Sequence, residues 1–472
     1  MTSERFRTAI ICAVQFVDVM GVTVVVAALP RMLADVDAPA AYAGLLVPAY
    51  AVGFGGLLLL TARLGDLYAS RRVLLAGLAV FAAGSLLCAV AESPVLLVAG
   101  RLLQGVGAAG SVPNALVLLV RPASQRERGR VLSAWNATGG LAGASGLLVG
   151  GLVTSALGWR VIFWSGLVAV AVLAVAIVYV VVPDKPAVSR PLNLPSISLQ
   201  ILAVGALVGA ANAATGSWRL AVLLLVVAAV AVPPLVIRER RTAEPLIPRG
   251  LRQRSGVAAG VVGSFGITAT TSSLVVLTTL YFQDSRGLDA AHAGLLILPF
   301  SFAVVIGAAV AGRLLRLITP GTALLIALTM IGGSAVLAAV HPGLGIVLVA
   351  LAASGLGNGI GAVAAYALGT AVAPDEQAPA AGLLNTAAQL GTAIMVAVGI
   401  SIAGATGDPL NYRAGWITVA ATAVLIAAGV LCGGRGGHGR RPVQYWRVRT
   451  APQRGLHDTL GTRTEPNRCP SN

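Results

Sequence analysis

Apolar runs about as long as the hydrocarbon core of a bilayer is thick recur along the chain, separated by short clusters of Arg, Asp, Pro and Gly. Six lie at Thr8–Leu29, Ala41–Ala62, Val73–Val90, Val95–Leu119, Val131–Leu157 and Val161–Val182. A linker, Pro183–Pro195, leads to two more, Ser196–Ala214 and Leu220–Ile237, the first of which carries Gln200 and Asn212. After a basic loop, Arg238–Arg254, six further runs follow at Gly256–Phe282, Ala293–Leu315, Ala323–Ala339, Gly343–Val372, Ala378–Ala405 and Ala414–Cys432. The pattern predicts an all-α polytopic membrane protein with fourteen spans in an order of six, two and six. Residues 1–183 form an N-terminal six-helix bundle, 184–255 a two-helix insertion with a basic loop, and 256–433 a second six-helix bundle. Residues 434–472 are a Gly-, Arg- and Pro-rich tail expected to be disordered.

Composition agrees. Of the 472 residues 57% are hydrophobic and 11% charged, with a mean hydropathy of +0.87, whereas soluble domains carry roughly 25% charged residues. The net charge of +16 does not indicate a nucleic-acid binder, because the basic residues sit in the loops between spans. With the N-terminus in the cytoplasm, 27 basic residues fall on the cytoplasmic side, 5 on the other and one, Arg101, within a span. One cytoplasmic loop dissents, carrying Asp375 and Glu376 but no Arg. Met1–Arg7 runs directly into the first span without a small-residue cleavage site, so the first helix is expected to stay. Lys185 is the sole lysine among abundant Arg, Ala, Gly and Val, a bias expected of a GC-rich bacterial genome and hence of a bacterial cytoplasmic membrane. Cys12, Cys88, Cys432 and Cys469 have no metal-ligand spacing; neither disulfides nor a metal are expected.

Gly105-Val-Gly107-Ala-Ala-Gly110 fits the dinucleotide fingerprint in letters only, since it lies inside an apolar helix with no strand before it. It reads instead as close helix packing by small residues. The fourth run of the last six echoes it with Gly355-Leu-Gly357-Asn358-Gly359-Ile-Gly361, as a duplicated transporter would.

Of the seventeen acids only Asp18 falls deep inside a span. A charge there costs roughly 2.5 kcal/mol or more, so function is the default reading. Burial favours the protonated carboxyl and a nearby cation the charged one, which makes proton occupancy sensitive to conformation. Arg101 is the natural partner: at 1.5 Å per residue Asp18 lies about 15 Å from the cytoplasmic edge and Arg101 roughly 9 Å below the outer edge of a core about 30 Å thick. Protonation of Asp18 would then release Arg101 and bias the inward and outward states. The alternative is an Arg101 hydrogen-bonded to first-span carbonyls as structural glue.

Ala62-Arg63-Leu64-Gly65-Asp66-Leu67-Tyr68-Ala69-Ser70-Arg71-Arg72 resembles the loop after the second span in the major facilitator superfamily, usually Gly-x-Leu-x-Asp-Arg-x-Gly-Arg-Arg, with Ala62 and Ala69 in place of its glycines. Arg101-Leu-Leu-Gln104-Gly105 matches a second motif of that superfamily. Trp159-Arg160 with Phe163, and Tyr281-Phe282-Gln283 through Ala293-Gly294-Leu295 to Pro299, are similar to the fourteen-helix drug:proton antiporter family. The likeness extends nearly to the tail. It departs at Gly146–Gly151, which lacks the usual proline, and in the first span, where Gly21 and Val26 stand at the family's Asp and Asn positions and Asp18 lies about one turn earlier. The resemblance implies a major-facilitator fold, proton-coupled export and a cytoplasmic gate at Asp66, Arg71 and Arg72.

For the substrate cavity the candidates are Gln15, Tyr50, Gln104, Asn114, Trp135, Asn136, Asn358, Tyr366, Asn385 and Gln389, polar or amphipathic side chains within apolar spans, each equally readable as interhelical glue. Thr268 and Thr270–Ser273 are expected to bond back to their own helix. With few deep charges, a neutral or monocationic amphiphile fits better than a highly charged substrate. The leading reading is a monomeric antiporter that exports a hydrophobic drug, antibiotic or metabolite, driven by the proton-motive force and needing no cofactor or metal. Proton-coupled uptake of a nutrient and a non-transporting membrane sensor are the alternatives. An enzyme is disfavoured because no His, Cys or carboxylate pair lies within a span.

Overall fold

A computed structural model describes residues 2–39, 42–122, 125–185, 194–213, 217–242, 249–252, 254–372, 376–405 and 411–434. The tail, most of the linker before the seventh span, and Asp375 lie outside the described residues. The chain forms α1 (Thr2–Asp35), α2 (Ala43–Tyr68), α3 (Ser70–Ala89), α4 (Pro94–Val120), α5 (Gln125–Leu157), α6 (Arg160–Val180), α7 (Leu194–Ala213) and α8 (Trp218–Arg241). A single turn, α9 (Arg249–Arg252), precedes α10 (Ser255–Leu280), α11 (Ala290–Leu314), α12 (Pro320–Val340), α13 (Leu344–Gly369), α14 (Gln377–Gly404) and α15 (Tyr412–Gly434).

Each predicted span therefore has its helix. Among the described residues eleven helices are long and apolar enough to cross a membrane, and α2, bent by 48° between Leu58 and Leu60, makes a twelfth. The other two, Leu141–Leu157 of α5 and Pro195–Ala210 of α7, are apolar over shorter stretches. Several starts are written locally. Ser93, Ser217, Asp289 and Thr319 cap α4, α8, α11 and α12 by accepting from the backbone N–H three residues on, and Pro94 and Pro320 open α4 and α12.

Ends are where the helices differ from expectation. α1 does not stop at Pro30 but runs to Asp35. Tertiary contacts hold that extra turn: the Asp35 carboxylate accepts from the Trp159 indole N–H at 2.8 Å and pairs with Arg31 at 3.2 Å and Arg160 at 3.8 Å. Likewise α8 carries its basic residues to Arg241 within the helix, and α10 continues past Leu280 as a π-turn over Tyr281–Ser285.

Helices α1–α6 pack mainly on one another, as do α10–α15; α8 packs on α7, and α7 reaches α2 and α14. The two sets meet through α5 with α11 and α2 with α14. The glycine echo has a structural counterpart. A Cβ on Gly105 would strike the Tyr50 carbonyl of α2, and one on Gly107 the Phe81 backbone of α3. In the second set, Gly355 and Gly359 lie against Phe300 and Val304 of α11, and Gly357 against Ala327 of α12, its nearest contact 2.9 Å away. Each fourth helix thus uses alternate glycines to bring the second and third helices of its set to backbone contact.

Ion pairs check the order of the helices. Asp66 pairs with Arg121 at 3.3 Å, Arg121 with Asp184 at 3.7 Å, and Arg254 with Glu376 at 3.0 Å. Every pair joins loops that alternation through the bilayer puts at one end. Glu376, from the acidic loop that dissents from the charge bias, is neutralised by an arginine of the basic loop before α10.

One hydrophobic cluster spans both sets at the opposite end, from Leu29 and Met32 through Trp159 and Phe163 to Phe282, Ala293 and Trp416. At the Asp66 end each set has a cluster of its own, around Leu74 and Leu118 in one and Leu324 and Ile331 in the other. The molecule is thus packed shut at the Asp35 end, and no shared hydrophobic cluster closes the other end among the described residues.

Candidate functional site

Asp18 sits midway along α1 and is 5% exposed. Its carboxylate accepts a hydrogen bond from the hydroxyl of Tyr50 on α2, itself 1% exposed. Arg101 of α4 is also buried and lies over the Tyr50 ring, 4.7 Å from guanidinium carbon to ring centroid. Its Nη1 donates to the Gly21 carbonyl of α1 at 3.2 Å and to Gln104 Oε1 at 2.8 Å. Gln104 in turn donates to Ser85 of α3 at 2.8 Å, and Ser85 donates to its own helix at Phe81. A chain of side chains thus joins α1, α2, α4 and α3 through the middle of the first bundle.

The expected direct pair is not formed: no ion pair within 4 Å joins Asp18 and Arg101. Tyr50 touches both, engaging the carboxylate with its hydroxyl and the cation with its π-face. The Arg101 bond to a first-span carbonyl is the one foreseen for structural glue, so one arginine serves both interhelical bonding and the field around Asp18.

Several cavity candidates are placed as packing residues. Tyr50 and Gln104 belong to this network. Asn114 is buried and donates to the Thr61 carbonyl at 3.1 Å and to Gly110 at 2.9 Å, tying α4 to α2. Trp135 is in the core of the first bundle. Gln15 faces Gly139 of α5, and Gln389 lies against Gly55 of α2, at a junction between the two sets. Asn358 and Asn385 are half-buried, Tyr366 is 39% exposed, and the Asn136 side chain lies outside the described residues. Thr270 and Thr271 bond to their own helix as expected, whereas Thr268 also bonds to Ala388 and Ser272 to Thr392, both on α14. A cavity of about 240 Å³ lies between α1, α3, α4, α5 and α6, lined by Phe16, Met20, Val24, Val149, Phe163 and Gln104. Of the predicted cavity residues it touches Gln104 alone.

At the Asp66 end the loop is organised differently from what its motif implies. Asp66 bonds to Arg121 at the end of α4 and not to Arg71 or Arg72. The carboxylate that caps a helix there is Asp184, which accepts from the backbone N–H groups of Ser70 at 2.8 Å and Arg71 at 3.0 Å at the start of α3. The Arg71 side chain donates to the Val178 carbonyl of α6, and Arg72 is exposed. Arg121 and Asp184 were missed by motif reading; their signal is a base and an acid at the ends of spans four and six, on the side of the Asp66 loop. Because Asp66 and Arg121 are each 44% exposed, their pair contributes at most about 1 kcal/mol to stability. Arg121→Gln should therefore leave the melting temperature within about 3 °C. A fall in transport with an unchanged melt would assign the pair to the conformational cycle.

Ala69, where the motif usually has glycine, has φ 77° and ψ 131° between α2 and α3. Side chains rarely tolerate that conformation, at a cost of about 1 to 3 kcal/mol. Ala69→Gly should stabilise the protein by about 1 kcal/mol in thermal unfolding; a lower melting temperature would refute the strain.

Two bundles of six helices with a buried carboxylate network in the first define a polytopic membrane protein of the transporter class. The sequence matches the Major Facilitator Superfamily profile over residues 11–396, with a second match over 261–454. It is 32% identical to the puromycin resistance protein pur8 of Streptomyces alboniger over 82% of this chain and 80% of that protein. It is 31% identical to the cephamycin export protein CmcT of Amycolatopsis lactamdurans, covering 84% and 85%, and to a methylenomycin A resistance protein of Streptomyces coelicolor, covering 88% and 86%. In fold it resembles a POT family transporter in complex with 5-aminolevulinic acid (TM-score 0.68, 14% identity, 91% of this chain and 96% of that one). A bacterial homolog of the human lysosomal transporter Spinster, in an inward-facing and unoccupied conformation, gives a TM-score of 0.64 at 14% identity, covering 92% and 96%. The chain belongs to the major facilitator superfamily.

Proposed function

We propose that this protein is a proton-driven exporter of a small, hydrophobic, neutral or monocationic compound of antibiotic type, of the fourteen-helix drug:proton antiporter kind. It works in the cytoplasmic membrane of a bacterium with both termini inside, as a monomer, drawing on the proton-motive force and no cofactor. The similarity to proteins named for antibiotic resistance or export, over more than four-fifths of the chain, supports the direction and the substrate class. The observation that carries proton coupling is the buried Asp18 carboxylate, bonded by Tyr50 with Arg101 beside it.

In this reading the two six-helix sets rock about their α5–α11 and α2–α14 contacts. The cluster around Trp159, Phe282 and Trp416 closes the outer end in this reading, and the cytoplasmic side opens at the Asp66 end. Asp66, Arg121 and Asp184, with Arg71 and Arg72, form the cytoplasmic gate. Protons bound at Asp18 from outside are released inside, and the exchange of a buried charge for a neutral carboxyl shifts the balance of states.

The test is reconstitution in proteoliposomes with an imposed pH gradient and a panel that includes puromycin and ethidium. Addition of a transported compound should release protons from the acid side in step with its movement. Compound movement with no proton flux would remove antiport, and flux of both in the same direction would promote symport.

A further inference from the structure

Tyr50 uses both of its chemical faces, and each on a different ionisable partner. Its hydroxyl donates to Asp18, and its ring carries the Arg101 guanidinium at 4.7 Å. Its backbone is fixed from the other side, because Gly105 of α4 lies directly on the Tyr50 carbonyl and leaves no room for a Cβ. Arg101 is held by one carbonyl, one amide and this ring, while its buried Nε has no hydrogen-bond partner. The cation thus sits in the interior without a carboxylate, an arrangement that lasts only while something keeps the two charges apart. Tyr50 is the side chain in contact with both. Other groups do not compete for Asp18: α5 from Ala134 to Leu157, α6 after Arg160, and α10 from Ser255 to Leu280 contain no acid or base.

We propose that Tyr50 is the positioning residue of the coupling site: its hydroxyl orients the Asp18 carboxyl, and its ring holds Arg101 out of a direct ion pair with it. The inference rests on reading Asp18 as the proton site and reassigns Tyr50 from substrate contact to coupling. If the two charges closed on each other in this desolvated setting, their attraction would hold the carboxylate ionised and stop the proton from exchanging. Separation by an aromatic ring keeps Arg101 close enough to be felt and too far to lock.

The experiment is an infrared titration of the full-length protein in liposomes, following the C=O band of a protonated carboxyl, together with pH-gradient-driven ethidium transport. Asp18→Asn should erase the band; if it persists unchanged, the assignment of Asp18 as the proton site fails and this inference with it. Given that band, Tyr50→Phe, which keeps the ring and removes only the oxygen, should move it to higher wavenumber through loss of a hydrogen bond. It should also slow transport about tenfold or more. Tyr50→Leu, lacking the ring as well, should leave no protonated band over the same pH range, because the ion pair closes. An unmoved band in Tyr50→Phe, or a protonated band that persists in Tyr50→Leu over the same pH range, would overturn the proposal while leaving Asp18 in its role.

Discussion

Asp18→Asn should bring pH-gradient-driven export to the level of protein-free liposomes while the protein still folds. Asparagine has the shape of aspartate, and its side-chain oxygen can still accept from Tyr50. What the substitution removes is a charge held at 5% exposure within the first bundle, whose burial costs roughly 2.5 kcal/mol or more. Folding then loses no packing, sheds the cost of one buried charge and gives up its attraction to Arg101, so the melting temperature should stay within about 3 °C of wild type. Transport loses its titratable group. Thermal unfolding and transport measured on one preparation separate the two effects. Full proton-driven transport by Asp18→Asn would end the coupling reading, and a collapsed melt would move Asp18 from function to structure.

The second large effect is on stability. Gly77→Val should cost about 3 kcal/mol and leave little folded protein in detergent. A Cβ at Gly77 would lie 2.6 Å from the Ser111 nitrogen, 2.7 Å from the Gly107 oxygen and 2.7 Å from the Gly110 carbon. All three are backbone atoms of α4, so no flexible side chain can yield, and α3 must move away from α4 along its length. Gly333 of α12 is the control. It faces outward with nothing within 4 Å of its Cβ position. Gly333→Ala should be neutral or stabilise by up to about 1 kcal/mol, because alanine costs less entropy in a helix. Equal melting temperatures for the two variants would contradict the α3–α4 zipper.

The two experiments probe different layers of the same bundle. The glycines bring α2, α3 and α4 to backbone contact, and that closeness lets Ser85, Gln104, Arg101 and Tyr50 reach one another through the interior. A looser α4 would leave the same side chains in place with their partners out of range. The substitution that unfolds the bundle and the one that uncouples it are thus linked by α4, which carries Gly105, Gly107 and Arg101 within two turns.

Hydrophobicity and charge along the chain determined the number of helices, their order and alternation, because a bilayer requires about twenty apolar residues per span and retains basic loops on one side. The same reading singled out Asp18 and Arg101, since a charge in an apolar run is costly wherever its partners lie. Helix ends were decided by tertiary contacts: Asp35 holds α1 past Pro30 through Trp159 and Arg160, which lie more than a hundred residues away. Pairing was decided there too. Distance along the helix axis put Asp18 and Arg101 at similar depths, but depth carries no azimuth, so the intervention of Tyr50 could not be read from it. For the same reason Asp66 met Arg121 rather than its motif neighbours, and Asn114 and Trp135 turned to packing instead of a cavity. Sequence determined which residues enter the membrane; only the packing of α1 against α2 and α4 decided which of them touch.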